Sequence, residues 1–310
     1  MATPALSAIG ASDPATRHAD WLELTALAAA DRSRSLQDLI QVIRRSGTSD
    51  TVTDGGEPVE AFDRGSEISE SVAEAAFAEL EARQTNCGGV YPFKLNQQTV
   101  RAMRTTDRSI YLFLFLIAIF GAKAGPPGID TLALFDELAA AAAASYLTGE
   151  SYIFGFPRRV APAGFVAAVA DLVSQMREGQ GNRRRPTTRF QKDAKLDIVS
   201  WRSFADGRPG KLIAFGQCAT GDNWRDKLAE LVPRTFYSLW LAENPVIDPV
   251  RMFFMPFRVP DDEWPEVAYP GGVVFDRCRL AHHAEGVPRA IRQRVALWNA
   301  SVLSNKVRGR

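Results

Sequence analysis

The sequence predicts an α/β protein: a mixed β-sheet flanked by helices, preceded by a mainly helical N-terminal region. Three observations predict it. Stretches 196–201 and 211–219 alternate in character and flank the turn Asp206-Gly207-Arg208-Pro209-Gly210, which carries the residues a hairpin connection needs. Further apolar strands are expected at 252–257 and 272–280, with helical patterns between and after them. Before residue 125 the apolar positions recur almost entirely at helical spacing.

In the first 45 residues, Trp21, Leu22, Leu24 and Leu27, then Leu36, Leu39, Ile40 and Ile43, read as two helices, with Ser35 placed to cap the second. A Gly/Asp/Thr/Ser-rich loop follows over 46–66. The next helix is expected at 69–83, and its many charges read as a solvated face. Gly88-Gly89 and Tyr91-Pro92-Phe93 mark a turn. Segment 110–120 is wholly apolar, but its eleven residues are too few to cross a bilayer core, which takes about 20 in a helix. It reads as a buried helix, stopped by Gly121 and the pair Pro126-Pro127. The break predicts a soft boundary between a helical region, 1–125, and a second domain, 126–310.

Asp130 is placed to cap an alanine-rich helix over 131–147, with Leu134 and Leu138 one turn apart and Phe135 beside them. A short strand at 151–156 and a helix at 163–177 come next. A polar linker then runs into Arg183-Arg184-Arg185, Arg189 and Lys192. This charge run reads either as a solvated loop or as a set of phosphate contacts. Thr220 to Asp222 is expected to open a helix carrying Trp224, Lys227 and Leu228, stopped by Pro233, and a last helix spans 288–303.

Composition bounds the chemistry. Hydrophobic residues at 46% and charged residues at 24% describe an ordinary globular chain of 310 residues. Lys plus Arg at 37 against Asp plus Glu at 36 leaves no global basic field, so contact with nucleic acid would rest on local patches. Cys87, Cys218 and Cys278 form no CxxC pair. That argues against a disulfide scaffold and a structural zinc, and for a cytoplasmic, reducing setting. The first 13 residues lack the pattern of a signal peptide, and no membrane association is expected.

Alternation along the predicted hairpin sets Asp197 beside Gln217 at the ends of paired strands. A carboxylate and an amide oxygen held that way suit a hard divalent cation such as magnesium. No GxxxxGK[ST], GxGxxG, HExxH or GxSxG pattern competes with this pair. His282-His283, read as neighbours on a strand, would point to opposite faces and cannot chelate together.

Asp197 followed one hairpin later by Gln217-Cys218 resembles the PD-(D/E)xK nuclease superfamily, most closely its Mrr-like branch, where an Asp precedes a Gln-Cys-Lys signature. The chain departs from it at Ala219, where the Lys would stand. The resemblance implies a restriction-endonuclease-like sheet and Mg2+- or Mn2+-dependent hydrolysis of DNA, in restriction or anti-phage defence. It implies metal ligation by Asp197, Gln217 and the Cys218 carbonyl, and an acid from the preceding helix. Glu137 is the candidate acid, against the alternative of a helix-surface carboxylate. Lys227 is the candidate replacement for the missing Lys, ahead of Lys195 and Lys192. Expected partners are DNA, proteins of a defence system and a second copy of the chain. The alternative is a nuclease-fold subunit that binds DNA or acts as a scaffold without cutting.

Overall fold

The structure is a computed structural model describing residues 13–47, 58–159, 162–180 and 192–309. Helix α1, Pro14–Ala28, starts on Asp13, whose carboxylate accepts the Thr16 N–H, with a proline in the first turn. Strand β1, Ser33–Ser35, leads into α2, Leu36–Gly47, and α3 follows at Pro58–Asn86. Strands β2, Phe93–Asn96, and β3, Thr99–Ala102, form a hairpin that β1 extends, giving an antiparallel sheet in the order β1-β3-β2. The sequence pattern marks only the turn over Gly88 to Phe93 here. The wholly apolar α4, Ile110–Phe120, is capped by Ser109 and buried as expected.

Helix α5, Thr131–Leu147, is capped by Asp130 through the Ala133 N–H. Then come β4, Glu150–Ile153, α6, Phe165–Met176, and the predicted hairpin of β5, Ile198–Arg202, and β6, Leu212–Cys218. Helix α7 is a single turn, Trp224–Lys227, and Pro233 begins α8, Pro233–Trp240, where the sequence reading had it ending a helix. Strand β7 is Val250–Phe254, α9 is Trp264–Gly271 and β8 is Val273–Phe275. The predicted strand at 272–280 is cut short by α10, Arg277–His283, which Asp276 caps through the Arg279 N–H. His282 and His283 therefore sit on a helix. Helix α11, Arg289–Val302, closes the fold.

The second sheet runs β4-β5-β6-β7-β8 in chain order, antiparallel through β6 and parallel beyond it. Side-chain alternation gives it two faces. Ile198 and Ala214 pack toward α5 in the largest core, while Val199, Trp201, Ile213 and Phe215 pack with Phe165, Leu172 and Phe236 of α6 and α8. A third cluster collects Ala219, Trp224, Leu228, Phe253 and Val267.

The 125/126 boundary is not a break in packing. Trp21, Leu22, Phe77 and Leu80 share one core with Phe113, Phe115, Leu134, Phe135, Ile198, Phe254 and Trp298. Charges are buried across the same seam. Asp20 accepts from Arg83 at 2.7 Å and from Arg277 at 2.8 Å, and Arg258 bridges Glu79 at 3.0 Å and Asp276 at 2.9 Å. Buried charges are tolerated only when paired and hydrogen-bonded in this way. Glu23 accepts the hydroxyls of Tyr91 at 2.6 Å and Tyr111 at 2.9 Å.

Candidate active site

Helix α5, the entry to β5, the exit of β6 and α7 converge on a cavity of about 250 Å³. Its lining includes Asp136, Asp197, Cys218, Thr220 and Lys227, with Leu132, Phe156 and Arg159 among the others.

Asp197 stands just before β5 and is fixed through its own backbone. Its N–H donates to the Gly216 carbonyl at 2.9 Å, and its carbonyl accepts from Phe154 at 2.7 Å and Gly155 at 2.9 Å. Its Oδ2 accepts the Cys218 N–H at 2.7 Å. Gly155 gives this approach its room, since a Cβ there would stand 3.0 Å from Asp197 Oδ1, a tight contact.

Asp136 is the second carboxylate, and the sequence reading passed over it for its neighbour. Glu137 points elsewhere: its Oε1 accepts from Arg294 of α11 at 3.0 Å in a two-bonded ion pair. It is the helix-surface carboxylate of the two alternatives. The helical period separates these neighbours by about 100°, so Asp136 shares its face with Ala133, which also lines the cavity. Ala140 lies one turn on, where the Ser151 hydroxyl donates to its carbonyl at 2.7 Å. Small residues on that face let α5 approach the strands closely, and they were the signal available in the sequence.

Burial pushes the Asp136 carboxyl up to about 7, with the nearby charges of Asp130 and Glu137 adding to the rise. Burial likewise pushes Asp197 well above the usual carboxylate range, reinforced by the charge of Asp136, while Lys227 opposes the rise. The Cys218 thiol donates to Asp136, and burial with the two carboxylates raises it well above an ordinary thiol. Cys218 is thus a neutral donor, not a nucleophile.

Gln217 departs from its expected role. The backbone bonds of Asp197 to Gly216 and Cys218 bracket it, but its side chain leaves on the other face, where Nε2 donates to Glu230 Oε2 at 3.0 Å. Lys195 reaches the same oxygen at 3.1 Å. Burial works to raise Glu230, but the bonds from Lys195 and Gln217, with the charge of Lys227, bring it below the ordinary range. Gln217 and Asp197 therefore do not present a joint pair of oxygens to one cation.

The same alternation recasts the missing lysine. The residues of β6 and its exit that line the cavity are Cys218 and Thr220, whereas Ala219 is buried in the third core cluster beside Trp224 and Leu228. A lysine at 219 would enter that apolar cluster. Lys227, the last residue of α7, lines the cavity with Asp197 instead. The exposed Lys192 holds its ammonium 5.6 Å from the centre of the Phe156 ring. Arg183, Arg184, Arg185 and Arg189 lie outside the described residues.

No family model, curated protein or solved structure matches the chain. No helix among the described residues is long and apolar enough to cross a membrane.

Proposed function

We propose that the chain is a metal-dependent DNA endonuclease with a restriction-endonuclease-like sheet, acting in restriction or anti-phage defence. One observation carries the reading. An acid from the helix before the strands, Asp136, an acid at the start of β5, Asp197, and a lysine from the helix after β6, Lys227, line one cavity. That is the layout the sequence resemblance implies, with Asp136 in place of Glu137. The defence role rests on the resemblance.

The donor set fits magnesium or manganese. Among the described residues no group of three or more His, Cys, Asp or Glu could hold a metal, so a cation here would rest on Asp136, Asp197 and water. Magnesium is commonly held by one or two carboxylates while it keeps several waters. The charge of Asp136 raises the proton affinity of Asp197 in the absence of a cation, as expected of like charges that share a site. Bound there, the ion would orient water and neutralise charge developing on the phosphate. The Cys218 N–H holds Asp197 in place, and the Lys227 ammonium supplies positive charge beside both carboxylates for a phosphodiester oxygen.

The test is incubation of the purified protein with plasmid and linear DNA in magnesium, manganese or EDTA. Metal-dependent cleavage that is lost in Asp197→Ala and Asp136→Ala and lowered in Lys227→Ala supports the reading. Absence of cleavage by the wild-type protein under every metal overturns it.

A second reading, a catalytically inactive DNA-binding or scaffold subunit of a defence complex, is favoured by Ala219, which leaves the Gln-Cys signature without its lysine. It predicts DNA binding without cleavage in the same experiment.

A further inference from the structure

The geometry points to an unpaired nucleotide of single-stranded or flapped DNA, not an intact duplex, as what this cavity admits. The inference rests on the endonuclease reading for its choice of DNA.

Three features of the cavity support it. The first is recess. Asp136 and Asp197 are half-buried in a space of about 250 Å³, below the roughly 300–1,000 Å³ of sites for drug-sized ligands. A strand must send a flexible, locally unstacked unit into such a space, which a base pair held in a stack does not supply.

The second is an apolar rim. Phe156 is 49% exposed and Leu132 is 54% exposed, and both line the cavity that holds the carboxylates. Against an intact duplex this rim would meet the charged sugar–phosphate backbone, with base faces hidden in the stack. Against an unpaired strand the Phe156 ring meets a base face, a contact that tolerates any sequence.

The third is charge. Lys192 holds its ammonium 5.6 Å from the centre of the Phe156 ring. Arg159 lines the cavity itself. Cations interleaved with an exposed aromatic ring are the pattern that tracks a single strand, where the phosphates need charge and the bases need a ring.

The experiment measures fluorescence anisotropy of labelled single-stranded, flapped and blunt duplex DNA of one sequence. Binding is measured in EDTA and cleavage in manganese, for the wild-type protein, Phe156→Ala and Phe156→Trp. Circular dichroism confirms that the variants fold. Single-stranded and flapped DNA should bind about tenfold more tightly than duplex, the equivalent of one stacked base. Phe156→Ala should lose about tenfold on single-stranded DNA with duplex unchanged, and Phe156→Trp should restore it. Equal affinity for duplex and single strand, or full single-strand affinity in Phe156→Ala, overturns the inference. Equal cleavage of duplex and single strand overturns it while leaving the endonuclease reading intact. The predicted binding preference without any cleavage supports the inference and overturns only the endonuclease reading.

Discussion

The Asp197 carboxylate accepts the Cys218 backbone N–H at 2.7 Å, tying the entry of β5 to the exit of β6 across the open end of the hairpin. This bond turns the Asp197 side chain toward Asp136 on α5 and away from Gln217, its expected companion. The candidate site thus lies between the sheet and α5, and the role of each neighbouring side chain follows from which side of β6 it takes.

Glu137→Ala should leave DNA cleavage unchanged, whereas Asp136→Ala should abolish it. The Glu137–Arg294 pair is only partly buried, so its loss should cost no more than about 1 kcal/mol of stability. Cleavage assays and urea denaturation of the two variants check both statements. Loss of cleavage in Glu137→Ala would return the metal-shell role to Glu137.

The metal-free protein should lose stability as pH rises toward and through about 7. The Asp136 carboxyl, normally ionised above about 4, holds its proton up to about 7 in the folded state. Between those values the native state binds more protons than the unfolded state, so stability falls with pH across that window and levels off above it. Asp197, raised in the same direction, adds to the fall. Thermal melts from pH 5 to 9 should show this decline, Asp136→Asn should flatten it, and magnesium should oppose it by favouring the ionised acids. A pH-independent melting temperature in the wild-type protein would contradict the assignment.

Restoring the missing lysine should not restore or raise activity. Ala219 is 1% exposed among Trp224, Leu228 and Phe253. Ala219→Lys should therefore destabilise the fold by about 1–3 kcal/mol through overpacking alone, with cleavage no better than wild type. Lys227→Ala should lower cleavage without a comparable loss of stability. A gain of cleavage in Ala219→Lys would place the active face on the other side of β6.

Much of this arrangement was legible in the sequence. The apolar run of α4, the Asp130 cap and alanines of α5, and the turn between β5 and β6 are local signals that tertiary context did not override. Asp197 and Lys227 were reached through the hairpin and the helix after it. Errors arose where one-residue parity or a single cap decides the outcome. Asp136 and Glu137 are adjacent, but the helical step of about 100° sends one to the cavity and the other to Arg294. Val273 to Phe275 is a strand, and the sequence alternates on through Arg277 and Arg279, but the Asp276 cap turns the chain into α10. Pro233 reads as a stop in the sequence, but proline also suits the first turn of a helix, and there it opens α8. Gln217 follows Asp197 in register, but whether its amide meets a cation or Glu230 depends on α7 and its exit, which hairpin alternation does not encode.

Asp20→Ala should be among the most destabilising single substitutions, at about 3–5 kcal/mol, because it leaves two buried guanidinium groups without their shared partner. Chemical denaturation measures the loss. A change under 1 kcal/mol would mean that Arg83 and Arg277 find other acceptors.

The pairing at Asp20 has a consequence for how the chain is joined. Apolar surfaces can slide past one another at little cost, but an ion pair with two hydrogen-bonded guanidinium groups has a single good alignment. Asp20, gripped by Arg83 from its own half and by Arg277 from the other, acts as a dowel between the helical half and the sheet. Cutting the chain near residue 125 would therefore part Arg277 from Asp20 and Arg258 from Glu79, leaving the Arg277 guanidinium buried in the second piece without the carboxylate it pairs with.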